Sequence, residues 1–182
     1  MGGLLALRAS TRHPVDALVL LMPAPPEGLA PDIARLLVRD PRTALTFASL
    51  AVSTLPVRAG WVRSAPRGLY AANVTPEVLA AASRHRADES LAVLLQLVVG
   101  SRRGVTPSGV PTLVVGGRDD GLVPARTVRR LALRLGADHQ EHPVAHNFSE
   151  EPAGVVVDRA VRRWIAHQTS PVPTTTAPGG TP

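Results

Sequence analysis

The sequence has no cysteine and no lysine, and aromatic residues make up only 3% of its 182 positions. Without cysteine there is no disulfide framework, no thiolate ligand for zinc and no cysteine nucleophile. So few aromatics leave little surface on which single-stranded nucleic acid could stack. No long hydrophobic run is present either. The longest unbroken apolar stretch, Ala17 to Pro26, falls well short of the ~20 residues that a membrane helix needs. The N-terminus carries no basic segment ahead of its brief apolar stretch, Leu4 to Leu7, and so does not read as a signal peptide. The expectation is a cytoplasmic protein, which a segment ahead of Met1 would revise.

What is present is an excess of positive charge. The 20 cationic residues are all Arg, against 14 acidic ones, for a formal net charge of +6. They are scattered, and they accompany abundant Ala, Gly and Pro. That pattern fits the codon bias of a GC-rich genome better than selection for an anionic partner, which would gather basic residues on one element. No nucleic-acid partner is expected; a basic nucleic-acid-binding protein stays as a rival that would need a steep salt dependence of binding. The length and the 45% hydrophobic content suit one domain with a sizeable core.

Two apolar runs lack alternation and predict strands buried on both faces: Val15 to Met22 and Pro111 to Gly117, the latter ending in a Gly pair. A third strand, Asp138 to Ala145, is mixed in polarity and belongs near a sheet edge. Between the last two, Pro124 to Leu135 predicts a helix with Pro124 in its first turn. Its Val128, Leu131, Ala132 and Leu135 form one apolar stripe, and Gly136 supplies a stop. Arg126, Arg129, Arg130 and Arg134 take the opposite side and read as a solvated face. Strand, helix, strand at this spacing is a βαβ unit with parallel, adjacent strands. A last helix is expected with Ser149 as its cap and Val157, Val161, Trp164 and Ile165 on one face.

The domain organisation follows. Residues 1–27 give the first helix and strand of an α/β core. Residues 28–106 read as short helices separated by Pro and Gly (Pro31 to Arg39, Thr43 to Leu55, Pro76 to Arg86, Asp88 to Val99), an insertion over the sheet of the lid kind. Residues 107–168 complete the core, and 169–182 form a Thr- and Pro-rich tail without apolar periodicity, expected to be disordered.

Open parallel sheets place their sites at the carboxyl ends of the strands. Two segments fall there: Gly116 to Pro124 after the second strand, and Ala145 to Glu151 after the third. The βαβ crossover makes those strands neighbours, so an Asp from one loop can reach a His from the other. A buried carboxylate on the imidazole N–H fixes the tautomer that a general base requires. Asp120 with His146 is the favoured pair. Asp119 is the rival acid, and either Asp would also serve as a helix cap. His139 and His142 read as surface side chains. A metal cluster of His139, His142 and His146 is disfavoured, because that spacing on an extended segment points them to different faces; no metal is expected.

On these residues the chain resembles the C-terminal portion of the α/β-hydrolase superfamily. Gly117-x-x-Asp120-x-x-Val123-Pro124 resembles the family's acid loop, and His146 ahead of V-x-x-x-V-x-x-W-I resembles its catalytic histidine. The helical insertion is similar to the family's cap domain. The resemblance covers roughly Met1 to His167 and implies a small-molecule ester, amide or thioester substrate, a Ser-Asp-His triad and no cofactor. It implies nothing of the oligomeric state. Phe47, Trp61 and Tyr70 in the insertion are candidates for an acyl pocket, although a cap packed on the sheet needs such residues for its own core.

The nucleophile is missing. The family's elbow, Gly-x-Ser-x-Gly, does not occur, and Ser108 lies at the wrong end of its strand. Met1-Gly2-Gly3 ahead of an apolar stretch resembles the half of an elbow that follows the serine, as in Gly-His-Ser-Met-Gly-Gly; a merely flexible Gly-Gly end is the alternative. The resemblance then implies a serine just upstream of Met1, a backbone N–H of Met1 in the oxyanion hole, and strands equivalent to the family's sixth, seventh and eighth. It also implies an unpaired edge on the first strand and no catalysis by these residues alone. The rival reading is a truncated, non-catalytic binding protein.

Overall fold

The computed structural model describes residues 2–45, 68–84, 91–100 and 109–169. In chain order the elements are α1 (Gly2–Ser10), β1 (Leu18–Leu21), α2 (Ala30–Arg39), α3 (Pro76–Arg84), α4 (Leu91–Val99), β2 (Thr112–Gly117), α5 (Ala125–Leu135), β3 (Asp138–His142), a 3-10 turn (Phe148–Glu150) and α6 (Gly154–Thr169). The expected cap residues Phe47 and Trp61, most of the helix expected over Thr43 to Leu55, and the tail after Thr169 lie outside the described residues, as does Met1.

The three strands form one parallel sheet in the order β1-β2-β3. Leu18 pairs with Thr112 and Leu113 with Asp138, which sets the register throughout. Central β2 is buried along its whole length, as a run without alternation requires. Its side chains alternate between two cores. Val114 joins Leu18 and Leu20 of β1 on one face, under Leu7 of α1 and Val128, Leu131, Ala132 and Leu135 of α5. Leu113 and Val115 join Met22 on the other, under Val157 and Trp164 of α6. Each of these Leu and Val side chains contributes roughly 1.5–3 kcal/mol when fully buried. β3 is polar because it forms an edge among the described strands, and its side chains are half-buried or exposed.

Several boundaries differ from the sequence expectation. β1 begins at Leu18 rather than Val15, and β3 stops at His142, leaving Val144 and Ala145 fully buried in the loop that follows. Pro124 is the residue before α5, in an extended conformation, rather than its first turn. Gly136 ends α5 in the left-handed region, with Ala137 N–H donating to the Ala132 carbonyl at 3.0 Å. Ser149 does not cap the last helix. It sits in the 3-10 turn, Glu151 is extended ahead of Pro152, and α6 starts at Gly154; a residue before proline is pushed out of the helical region.

α2 is pinned to the core by charge as well as packing. Leu29 N–H donates to the Leu97 carbonyl at 3.0 Å, and Leu29, Ile33 and Leu97 lie against the α1–α5 core. The buried carboxylate of Asp32 in α2 accepts from Thr127 Oγ1 at 2.7 Å, Arg126 Nη2 at 2.9 Å and Arg35 Nη1 at 3.1 Å. Burial alone would raise the Asp32 pKa; the Thr127 hydroxyl and the two guanidinium groups outweigh it and hold it below the usual carboxylate range. The arginine face of α5 is therefore partly engaged. Arg126 reaches Asp32, and Arg134 pairs with Glu27 at 2.9 Å.

Candidate active site

The carboxyl ends of β2 and β3 open into two loops that meet. After Gly117 the chain turns sharply, and backbone bonds lace the loops together: Arg118 N–H to the His142 carbonyl at 2.9 Å and Asp119 N–H to the Val144 carbonyl at 3.2 Å. Gly117 permits this closeness, since a Cβ there would lie 2.4 Å from the Val144 oxygen. The Gly that precedes the acid by three residues thus has a steric reason of its own.

Asp120 is the acid that faces inward. Its side chain has no solvent exposure, whereas Asp119 is exposed. Asp120 Oδ1 accepts the backbone N–H groups of Leu122 and Val123, both at 2.8 Å. Asp120 Oδ2 lies 2.8 Å from Nδ1 of His146. A buried charge needs such saturation, and three donors on one carboxylate leave it a single orientation. The helix after it starts at Ala125, so Asp120 closes its own tight turn rather than capping α5.

A carboxylate only accepts, so His146 Nδ1 is the donor of this bond, and it is Nε2 that is left to exchange a proton with another group. The His146 side chain is 25% exposed, which leaves the ring accessible while its orientation is held. Its backbone N–H donates to the Gly68 carbonyl at 3.2 Å, and the same carbonyl accepts Gly121 N–H at 3.0 Å. These contacts of Gly68 were invisible in the sequence: they run through main-chain atoms, which leave no residue-type signature.

Of the other expected site residues, Tyr70 is described, and its hydroxyl donates to Glu150 Oε2 at 2.7 Å, beside the histidine loop. His139 and His142 are half-buried rather than on the surface. Burial, and then the charge of Arg118, hold the His142 pKa below the ordinary histidine value. Among the described residues, no group of three His, Asp or Glu side chains is set to hold a metal ion, and no helix is long and apolar enough to cross a membrane. No serine hydroxyl among them bonds His146.

The start of α1 lies at the same edge of the sheet. A Cβ on Gly3 would sit 3.1 Å from the Cβ of Pro23, just past the carboxyl end of β1.

No family model and no curated protein matches the chain in sequence. Solved structures match it in fold. The Mycobacterium tuberculosis protein Rv0554 superposes with a TM-score of 0.55 at 18% identity, covering 91% of this chain and 62% of that one. A proline iminopeptidase of Mycobacterium smegmatis gives 0.54 at 15% identity, with 91% and 62% covered. An N-acyl homoserine lactone degrading enzyme gives 0.50 at 20% identity, with 89% and 63% covered. The chain thus spans less than two thirds of the length of each of these structures. Its three parallel strands with their flanking helices are part of an α/β-hydrolase fold.

Proposed function

We propose that these residues are the acid–base portion of a serine hydrolase that cleaves an ester, amide or thioester bond in a small molecule. The observation that carries this reading is the bond from His146 Nδ1 to the fully buried Asp120 carboxylate. It matches what a general base needs: an Nδ1 held on a carboxylate, an Nε2 without a hydrogen-bond partner among the described residues and a nearby negative charge for the imidazolium that forms.

The chemistry assigns each group a step. His146 Nε2 takes the proton of a serine hydroxyl as that oxygen attacks the substrate carbonyl. Asp120 stays ionised and stabilises the imidazolium. His146 then gives the proton to the leaving alkoxide, thiolate or amine, and an acyl-serine forms. Water repeats the sequence, with His146 again base and then acid. The serine precedes Met1 directly, within Gly-x-Ser-Met-Gly-Gly, and the backbone N–H of Met1 donates to the oxyanion. The placement of Gly3 against Pro23 supports this position. Residues 1–182 alone are inactive in this reading, since no serine hydroxyl among the described residues bonds His146.

Tyr70, whose hydroxyl meets Glu150 beside the histidine loop, is the acyl-pocket candidate among the described residues. The test of the whole reading is the in-frame coding sequence ahead of Met1. Codons for Gly-x-Ser immediately upstream, preceded by ~100 strand-rich residues, are the expected finding. A stop codon or an unrelated sequence there rejects it in favour of a non-catalytic binding protein.

A further inference from the structure

We propose that residues 68–71 form a strap whose Gly68 carbonyl sets the spacing of the Asp120 and His146 loops, with Gly68 and Glu151 as positioning residues for the pair. The assignment rests on the hydrolase reading above. A single oxygen, that of Gly68, accepts N–H groups from Gly121 at 3.0 Å and from His146 at 3.2 Å. Gly121 directly follows the acid and His146 is the base, so both loops are tied to one atom. The adjacent carbonyl of Leu69 accepts Asn147 N–H at 2.8 Å.

The other end of the strap is anchored just past the histidine. Ala71 N–H donates to Glu151 Oε1 at 2.8 Å, and the Tyr70 hydroxyl donates to Glu150. Glu151 is only 5% exposed, and its second oxygen has no hydrogen-bond partner among the described residues. Keeping a half-satisfied carboxylate buried is costly; the anchor it provides gives it a reason to be there. Catalytic pairs must be held to about 0.5 Å. The two loops leave different strands, and the bonds from Arg118 and Asp119 fix only their bases. The strap ties them again at Gly121 and His146. Gly68 has φ +85°, and a Cβ on it would lie 2.4 Å from both Cα and N of Gly121. A side chain there would lift the shared carbonyl off both loops.

Proton NMR of the 182-residue chain tests this through the His146 Nδ1–H resonance and the amide exchange of Gly121, His146 and Val114. The wild type is expected to show a downfield, slowly exchanging imidazole proton. Gly68→Ala and Glu151→Ala are each expected to lose that resonance and to speed exchange at Gly121 and His146 by about tenfold or more, with Val114 in central β2 still protected. Glu151→Gln, which keeps an oxygen acceptor for Ala71, is expected to restore the wild-type signals. An unchanged imidazole resonance in both variants, with faster exchange at Gly121 and His146, overturns the proposal: the strap would be loose and the pair indifferent to it. Loss of Val114 protection in both variants also overturns it, since the role would then be in folding. Absence of the downfield proton from the wild type overturns the hydrolase reading itself, and the strap assignment with it.

Discussion

Asp120 and His146 stand 26 positions apart in the chain, yet Oδ2 of the first lies 2.8 Å from Nδ1 of the second. The parallel pairing of β2 with β3 makes this possible, because it delivers both loops to one edge of the sheet. Replacing Asp120 by Asn puts an amide where the charge was and frees the histidine tautomer. Under the proposed serine-hydrolase reading, in the protein extended to include that serine, Asp120→Asn is expected to lower kcat on a 4-nitrophenyl ester on the order of 10³- to 10⁴-fold, with little change in KM. Asp119→Asn is expected to leave both unchanged; equal losses from the two substitutions would show that the acid has been misassigned.

Gly117→Ala tests the steric basis of the same site. The added Cβ would come within 2.4 Å of the Val144 oxygen and 3.3 Å of the Asp120 Cβ. Backbone on the far side cannot step aside cheaply, so urea unfolding is expected to show a loss of about 1–3 kcal/mol. Gly2→Ala, with nothing within 4 Å of the added Cβ, is the control and is expected to be neutral or slightly stabilising.

The Asp32 network makes stability sensitive to acid. The folded-state pKa of Asp32 is lowered, so the ionised form is favoured by folding. Its contribution is complete above the ordinary carboxylate range and is lost as pH falls through the lower folded value. Asp32→Asn is expected to cost about 1–3 kcal/mol at neutral pH, measured by urea melts, with the gap from wild type closing as the pH is lowered. A gap that stays constant down to strong acid would mean that packing, not charge, is what the residue supplies.

The free side of β1 is an association hazard. Among the described residues β1 pairs only with β2, and Leu21 at its end is 42% exposed. An unpaired apolar strand edge recruits another chain. Light scattering of the 182-residue chain is expected to show size rising with concentration and Leu21→Lys to suppress that rise; an identical concentration dependence in the two proteins would place the contact elsewhere.

The core was legible because its signals are local. The unbroken apolar run of β2, the stripe of α5 and the left-handed stop at Gly136 are each written in a few adjacent residues, and their order implies the parallel sheet. The Asp120–His146 meeting followed from that topology. What escaped has two physical sources. The strap acts through the carbonyls of Gly68 and Leu69, and every residue has a carbonyl. The ties of Asp32 to Arg126 and Thr127 join α2 to α5 across most of the chain, and no periodicity reports such a pairing. Ser149 misled for a third reason: it is a good cap by type, but Pro152 three residues on prevents a helix from starting there, and the chain makes a 3-10 turn first.

The most direct test of the acid–base assignment is fluorophosphonate labelling of the protein expressed with its natural upstream coding sequence, followed by peptide mapping. The account predicts one modified serine, immediately ahead of Met1-Gly2-Gly3, and labelling lost on His146→Gln. A label that maps elsewhere, no label at all, or labelling as fast in His146→Gln as in the wild type would contradict it.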